Sequence, residues 1–236
     1  MKQARIWELD ALRGVCVLGM VVVHFMYDLV ELYQLIEWEA PPLFTFVQSW
    51  GGVLFLVISG ISVTLGSRCI RRGLLVFASG LVVSGVTYGM YRFGFDKSLI
   101  IYFGVLHCLG ICMLLWPIFR KLPHWALALC GIILVIWGLY LRDLPGVDNY
   151  YLMIFGRPWK GFASSDYFPL LPYFGFFLIG SAIGKSVYRN KETLLPKVNE
   201  KNPIIRFFTI CGKNSLWIYL LHQPILSGIF YLITLS

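Results

Sequence analysis

ELDALRGVCVLGMVVVHFMYDL, residues 8–29, is the stretch on which the fold turns. From about residue 11 to 33 the chain is almost continuously apolar. A helix rises about 1.5 Å per residue, so roughly 20 such residues cross a hydrocarbon core about 30 Å thick. A cleavable signal peptide does not fit, because the segment carries Arg13, His24 and Asp28 and has no small-residue cleavage site after its apolar part.

Further along the chain, windows of the same character recur at about 46–66, 73–93, 98–118, 123–141, 168–188 and 210–233. The whole chain of 236 residues is 58% hydrophobic and 14% charged, with a mean hydropathy of +0.73. A soluble domain carries far more charge than this, so lipid is the solvent. The expectation is an all-α, polytopic transmembrane bundle of about seven helices, forming one domain over residues 1–236. Gly85 and Gly89, and again Gly180 and Gly184, stand at the GxxxG spacing at which membrane helices approach closely.

Basic loops stay on the cytoplasmic side. With the N-terminus inside, the inner segments hold 15 of the 20 basic residues, from Lys2 and Arg5 through Arg13, Arg68, Arg71 and Arg72 to Lys213. The net charge of +8 therefore reports topology, and nucleic-acid binding is excluded as its explanation. The six cysteines lie in or beside apolar helices on no metal-ligand spacing and read as free thiols, so no metal is expected. Two connections stand out. The outer segment 142–167 is rich in Gly, Pro and aromatic residues and long enough to fold over an outward cavity as a lid, whereas 185–206 reads as a solvated inner linker.

Ionisable groups inside a bilayer are expensive and thus functional candidates. On the first helix Arg13, His24 and Asp28 share a face, and the i,i+4 spacing of His24 and Asp28 lets the carboxylate orient the imidazole as in a general base. A buried polar pair that ties helices together is the competing reading. His107 stands in FGVLHCLG (103–110), where a histidine is as often a packing residue as a catalyst. In CGKNSLWIYLLHQP (211–224), Asn214 and Ser215 can cap a helix start, Lys213 lies at the inner surface, and His222, Gln223 and Pro224 follow inside the span. Asp166 precedes YFPLLPYFGFFLIG (167–180), where Pro169 and Pro172 should distort the sixth helix. It suits either an acceptor site or an N-cap.

Five ordered segments together resemble the catalytic domain of the heparan-alpha-glucosaminide N-acetyltransferase family: residues 8–29, FLVISGISVTLGSR (55–68), FGVLHCLG (103–110), DYFPLLPYFGFFLIGSAIG (166–184) and CGKNSLWIYLLHQPIL (211–226). The chain is also distantly similar to membrane enzymes that O-acetylate bacterial polysaccharides. The resemblance implies transfer of an acyl group, usually acetyl from cytosolic acetyl-CoA, to a sugar amine or hydroxyl on the opposite face. Carried over motif by motif, it selects Asp10, Arg13, His24, Asp28, His107, Asp166, Asn214, Ser215, His222 and Gln223. It also departs from the lysosomal branch, since no histidine lies between Phe25 and Leu106. A histidine mechanism must therefore use His24, His107 or His222.

The catalytic candidates are thus His24, Asp28, His107 and His222, and Asp166 and Gln223 are the candidates for the acceptor. The donor's phosphates call for inner cations, and Arg13, Arg71, Arg72, Lys185 and Lys213 qualify beside Asn214 and Ser215. Expected partners are membrane lipids, a small-molecule or glycan acceptor and further copies of the chain, in a bacterial cytoplasmic membrane. The alternative is a small transporter or flippase whose buried His and Asp relay protons or bind a solute.

Overall fold

A computed structural model describes residues 6–235, with side chains to Ile233, so Lys2 and Arg5 lie outside the described residues. The chain is a helical membrane bundle. Its helices are α1 (Trp7–Tyr27), α2 (Pro42–Leu65), α3 (Cys69–Arg92), α4 (Val105–Phe119), α5 (His124–Arg142), α6 (Leu170–Ser186), α7 (Pro203–Lys213) and α8 (Ser215–Leu235). Five stretches, containing α1, α2, α3, α5 and α8, are long and apolar enough to cross a membrane, and α4 and α6 are shorter apolar helices. Together they correspond to the seven windows.

Three departures from the windows have local causes. The window at 98–118 becomes α-helical only at Val105, after a 3-10 turn at Lys97–Leu99, because residues 100–104 run beside the outer segment, with Phe168 N–H donating to Phe103 C=O at 2.9 Å. The sixth helix starts irregularly, as its prolines require, with Leu171 at φ −105°, ψ 122°. The inner linker is shorter than expected and gives way to α7. There Asn202 accepts from Ile204 N–H at 3.0 Å and Pro203 opens the first turn. Asn214 then ends α7 by donating from Nδ2 to Ile210 C=O at 2.9 Å, so it closes this helix rather than capping the start of α8.

Contacts divide the chain into two compact units, Met1–Phe55 with Asn190–Ser236, and Leu56–Arg189. In the first, α7 lies antiparallel along the beginning of α1. Gly14 faces the Phe208 backbone, Gly212 faces the Asp10 carbonyl, and a side chain at either glycine would strike main chain. The inner linker is fastened to the same end: buried Glu8 accepts from Thr193 Oγ1–H and Leu194 N–H, both at 2.8 Å. Glu8 and Asp10 also oppose the positive end of the α1 dipole.

In the second unit, close approach runs through α2, α5 and α6. Gly180 meets the Val57 backbone, Gly60 meets that of Phe177, and Gly131 and Gly175 face each other. Gly184 likewise packs on Ile61, as its spacing with Gly180 suggested. Gly85 and Gly89 have nothing within 4 Å, so the GxxxG spacing in α3 marks no helix contact within the described residues. Ser164 and Ser165 hydroxyls hold the outer segment down by donating to the carbonyls of Ile100 (2.8 Å) and Leu99 (3.2 Å).

Candidate functional site

In the first unit, two side-chain rungs join α1 to α8. On the lower rung, His24 Nδ1 lies 2.8 Å from His222 Nε2, with the rings 4.9 Å apart between centroids and 21° from parallel. On the upper rung, Gln223 Nε2 donates to both oxygens of Asp28, at 3.1 and 3.0 Å. Asp28 is completely buried, and the helix widens into a π-turn over Asp28–Leu32, a device common at functional sites.

The bonding pattern fixes the proton positions. His222 Nδ1 is 2.6 Å from the Tyr219 carbonyl, which can only accept, so Nδ1 carries hydrogen. The second nitrogen of a neutral His222 is then an acceptor, and His24 must donate to it from Nδ1. The Met20 thioether, 3.0 Å from the same His24 nitrogen, is likewise an acceptor and agrees with this assignment. The lone pair of His24 is thereby left on Nε2, the nitrogen a general base needs.

Asp28 was expected to orient His24 through their i,i+4 spacing, and the structure corrects this. His24 leans back over Met20 and its Nδ1 is taken by His222, while Asp28, where the helix widens into the π-turn, spends both oxygens on Gln223 across the helix pair. Arg13 Nη1 pairs with Asp10 Oδ1 three residues back, at 3.0 Å. Asp10 Oδ2 is buried without a hydrogen-bond partner. The contact of Gly212 with Asp10 brings Lys213, exposed at the end of α7, to this same end of α1. Ser215 opens α8, half-buried.

In the second unit, His107 is 3% exposed and both of its ring nitrogens are engaged. Nδ1 accepts from Gly104 N–H at 3.2 Å, and Nε2 faces Ser84 Oγ at 3.4 Å, whose own hydrogen goes to Ile101 C=O at 2.5 Å. Phe77 and Phe103 enclose the ring, and Gly80 leaves room for it. This is the packing alternative read from the sequence. Asp166 Oδ2 accepts from Val105 N–H at 3.1 Å, so it caps α4 rather than the helix it precedes. Outside the spans, burial raises the phenol of Tyr167, whose hydroxyl donates to Met153 C=O at 2.6 Å.

The inner cations of this unit differ in their freedom. Lys185 Nζ donates to the carbonyls of Arg120 (2.6 Å) and Leu122 (2.7 Å) and is committed to the end of α4. Arg71 and Arg72, in the first turn of α3, are exposed. Glu8, Met20, Ser84, Thr193 and Tyr219 were not selected from the sequence. Each acts through a contact whose partner no short-range spacing reveals, apart from the local Met20–His24 and Tyr219–His222 pairs. Among the described residues no group of three or more potential ligands could hold a metal ion.

A family model described as "Heparan-alpha-glucosaminide N-acetyltransferase, catalytic" matches residues 5–224. No curated protein matches the chain, and no solved structure does.

Proposed function

The chain belongs to the heparan-alpha-glucosaminide N-acetyltransferase catalytic family, and from that premise we propose that it moves an acetyl group from cytosolic acetyl-CoA to a sugar amine or hydroxyl on the outer face of a bacterial cytoplasmic membrane. The observation that carries the reading is the polarised chain from Tyr219 C=O through His222 to His24, which places a lone pair on His24 Nε2.

A thioester is already activated, so the protein's task is to deprotonate the nucleophile. His24 Nε2 takes the proton as the amine or hydroxyl attacks the thioester carbonyl. The new C–N or C–O bond forms, the C–S bond breaks, and the imidazolium returns its proton to the departing thiolate, giving free CoA. His222 is the positioning residue: it holds the tautomer and accepts hydrogen from His24 throughout. His107, fully engaged by Gly104 and Ser84, positions α4 rather than moving protons.

Arg13 and Lys213 serve the donor in this reading. Its nucleotide phosphates would meet a large desolvation penalty inside the bilayer and stop at the inner surface, where these cations lie. Arg13 and His24 are 11 residues apart on one helix, so about 17 Å along its axis. An extended pantetheine arm spans such a distance. Asp166 and Lys185 have structural duties and are set aside as ligands.

The test is release of CoA thiol by the purified protein in nanodiscs, with glucosamine as acceptor. Wild type should turn over, and His24→Ala should lose roughly 10²–10⁴-fold in kcat while keeping its fold. Absence of acetyl-CoA binding and turnover in wild type would overturn the reading in favour of a transporter.

A further inference from the structure

The Asp28–Gln223 rung contains an imbalance that the base chain does not use. Gln223 spends its amide nitrogen on both oxygens of a buried carboxylate, at 3.1 and 3.0 Å. Its carbonyl oxygen, Oε1, is buried and has no hydrogen-bond partner. An amide normally escapes such a position by flipping. Here a flip would set Oε1 against the Asp28 carboxylate, two acceptors facing one another, so Asp28 locks the amide with Oε1 turned away. An unsatisfied buried carbonyl costs about 1–3 kcal/mol, and such orphans in a folded protein call for an explanation.

From this the geometry points to Gln223 Oε1 as the atom that receives a substrate hydrogen beside the one taken by His24, with Asp28 as the residue that positions it. The inference rests on the acetyltransfer reading above and deepens it. Gln223 directly follows His222 on α8, while Asp28 opens the π-turn that continues α1, four residues beyond His24, so the two rungs are about 6 Å apart along that axis. A substrate that reached between the rungs would meet two acceptors, His24 Nε2 and Gln223 Oε1. The complementary ligand carries two donor hydrogens close together. A neutral primary amine supplies both from one atom, and a vicinal diol supplies them from two. Asp28 therefore acts on the substrate through Gln223, and its removal should be felt in substrate recognition rather than in the ionisation of the base.

The experiment uses the full chain in nanodiscs and three acceptor probes: glucosamine, N-methylglucosamine, whose neutral amine has one N–H fewer, and glucose, which offers only hydroxyls. For wild type, KM should be lower for glucosamine than for N-methylglucosamine if the amine fills both acceptors, or lowest for glucose if the C1–C2 diol, which the two amino sugars lack, does. Gln223→Met keeps the length and removes both amide functions. It should raise KM for the favoured probe roughly tenfold, the worth of about one good hydrogen bond, and level the difference between probes, with KM for acetyl-CoA unchanged. Asp28→Asn should do the same, because the amide introduced by that substitution can donate to Oε1 and occupy it.

If wild type turns over and Gln223→Met keeps the probe preference, Oε1 contacts water or nothing, and the inference is overturned. The same holds if the change falls on KM for acetyl-CoA, or if only thermal stability moves. If wild type shows no turnover with any probe, the acetyltransfer reading fails instead, which is a distinguishable result.

Discussion

His222 Nδ1 donates to a carbonyl one turn earlier on its own helix, and the proton position on the neighbouring ring follows from that bond. The role of His222 is thus to accept from His24, which other side chains can imitate. His222→Gln retains an acceptor oxygen and should keep more activity than His222→Leu. The leucine variant should lose roughly 10²-fold or more in kcat, within the range of general-base contributions, with KM for acetyl-CoA little changed. Equal activity of the two variants would show that the hydrogen bond to His24 is unimportant. The sequence singled out both histidines, Asp28 and Gln223, but not how they pair. A spacing of four says that two side chains share a helix face, whereas the partners on the facing helix, His222 and Gln223, decide which bonds they make. His24 and His222 lie 198 positions apart, a separation at which periodicity carries no information.

At the scale of elements, glycine spacing proved a weaker guide than the surroundings of each glycine. Gly212 has the Asp10 carbonyl where a methyl group would go, and Gly85 has open space. Gly212→Ala should therefore destabilise the protein by about 1–3 kcal/mol, as overpacking does. Gly85→Ala should be neutral or gain up to about 1 kcal/mol of helix propensity. Unfolding in detergent, followed by circular dichroism, measures both. Asp166→Ala removes the α4 cap and should lower stability by about 1 kcal/mol in the same assay. The long apolar helices were legible because lipid demands length and hydropathy, which composition records directly. The short α7 was not, because its eleven residues merge at one end with a basic linker and at the other with a span. Its Asn202–Pro203 start was the available signal.

For the molecule as a whole, orientation follows from the distribution of charge rather than from any contact. In a cysteine-free background, single cysteines at Ser67 and Asp148, both exposed, should respond oppositely to an impermeant maleimide on intact cells. Asp148→Cys should label and Ser67→Cys should stay protected, and the reverse pattern would invert the topology. The family, the helical class and the membrane location were all readable from ordered motifs and composition. The acceptor was not, because motifs and spacing do not say which polar atoms of neighbouring helices are left for a ligand.

Transfer of acetyl from one face of the membrane to the other, with His24 as the base, is decided by a vectorial assay. In proteoliposomes sorted to one orientation, acetyl-labelled acetyl-CoA is offered on the face that carries Arg13 and Lys213, and glucosamine is sealed in the opposite compartment. Label should appear on the enclosed glucosamine for wild type and be lost with His24→Ala. Label that appears only when acetyl-CoA is supplied on the other face, or that persists undiminished in His24→Ala, would contradict it.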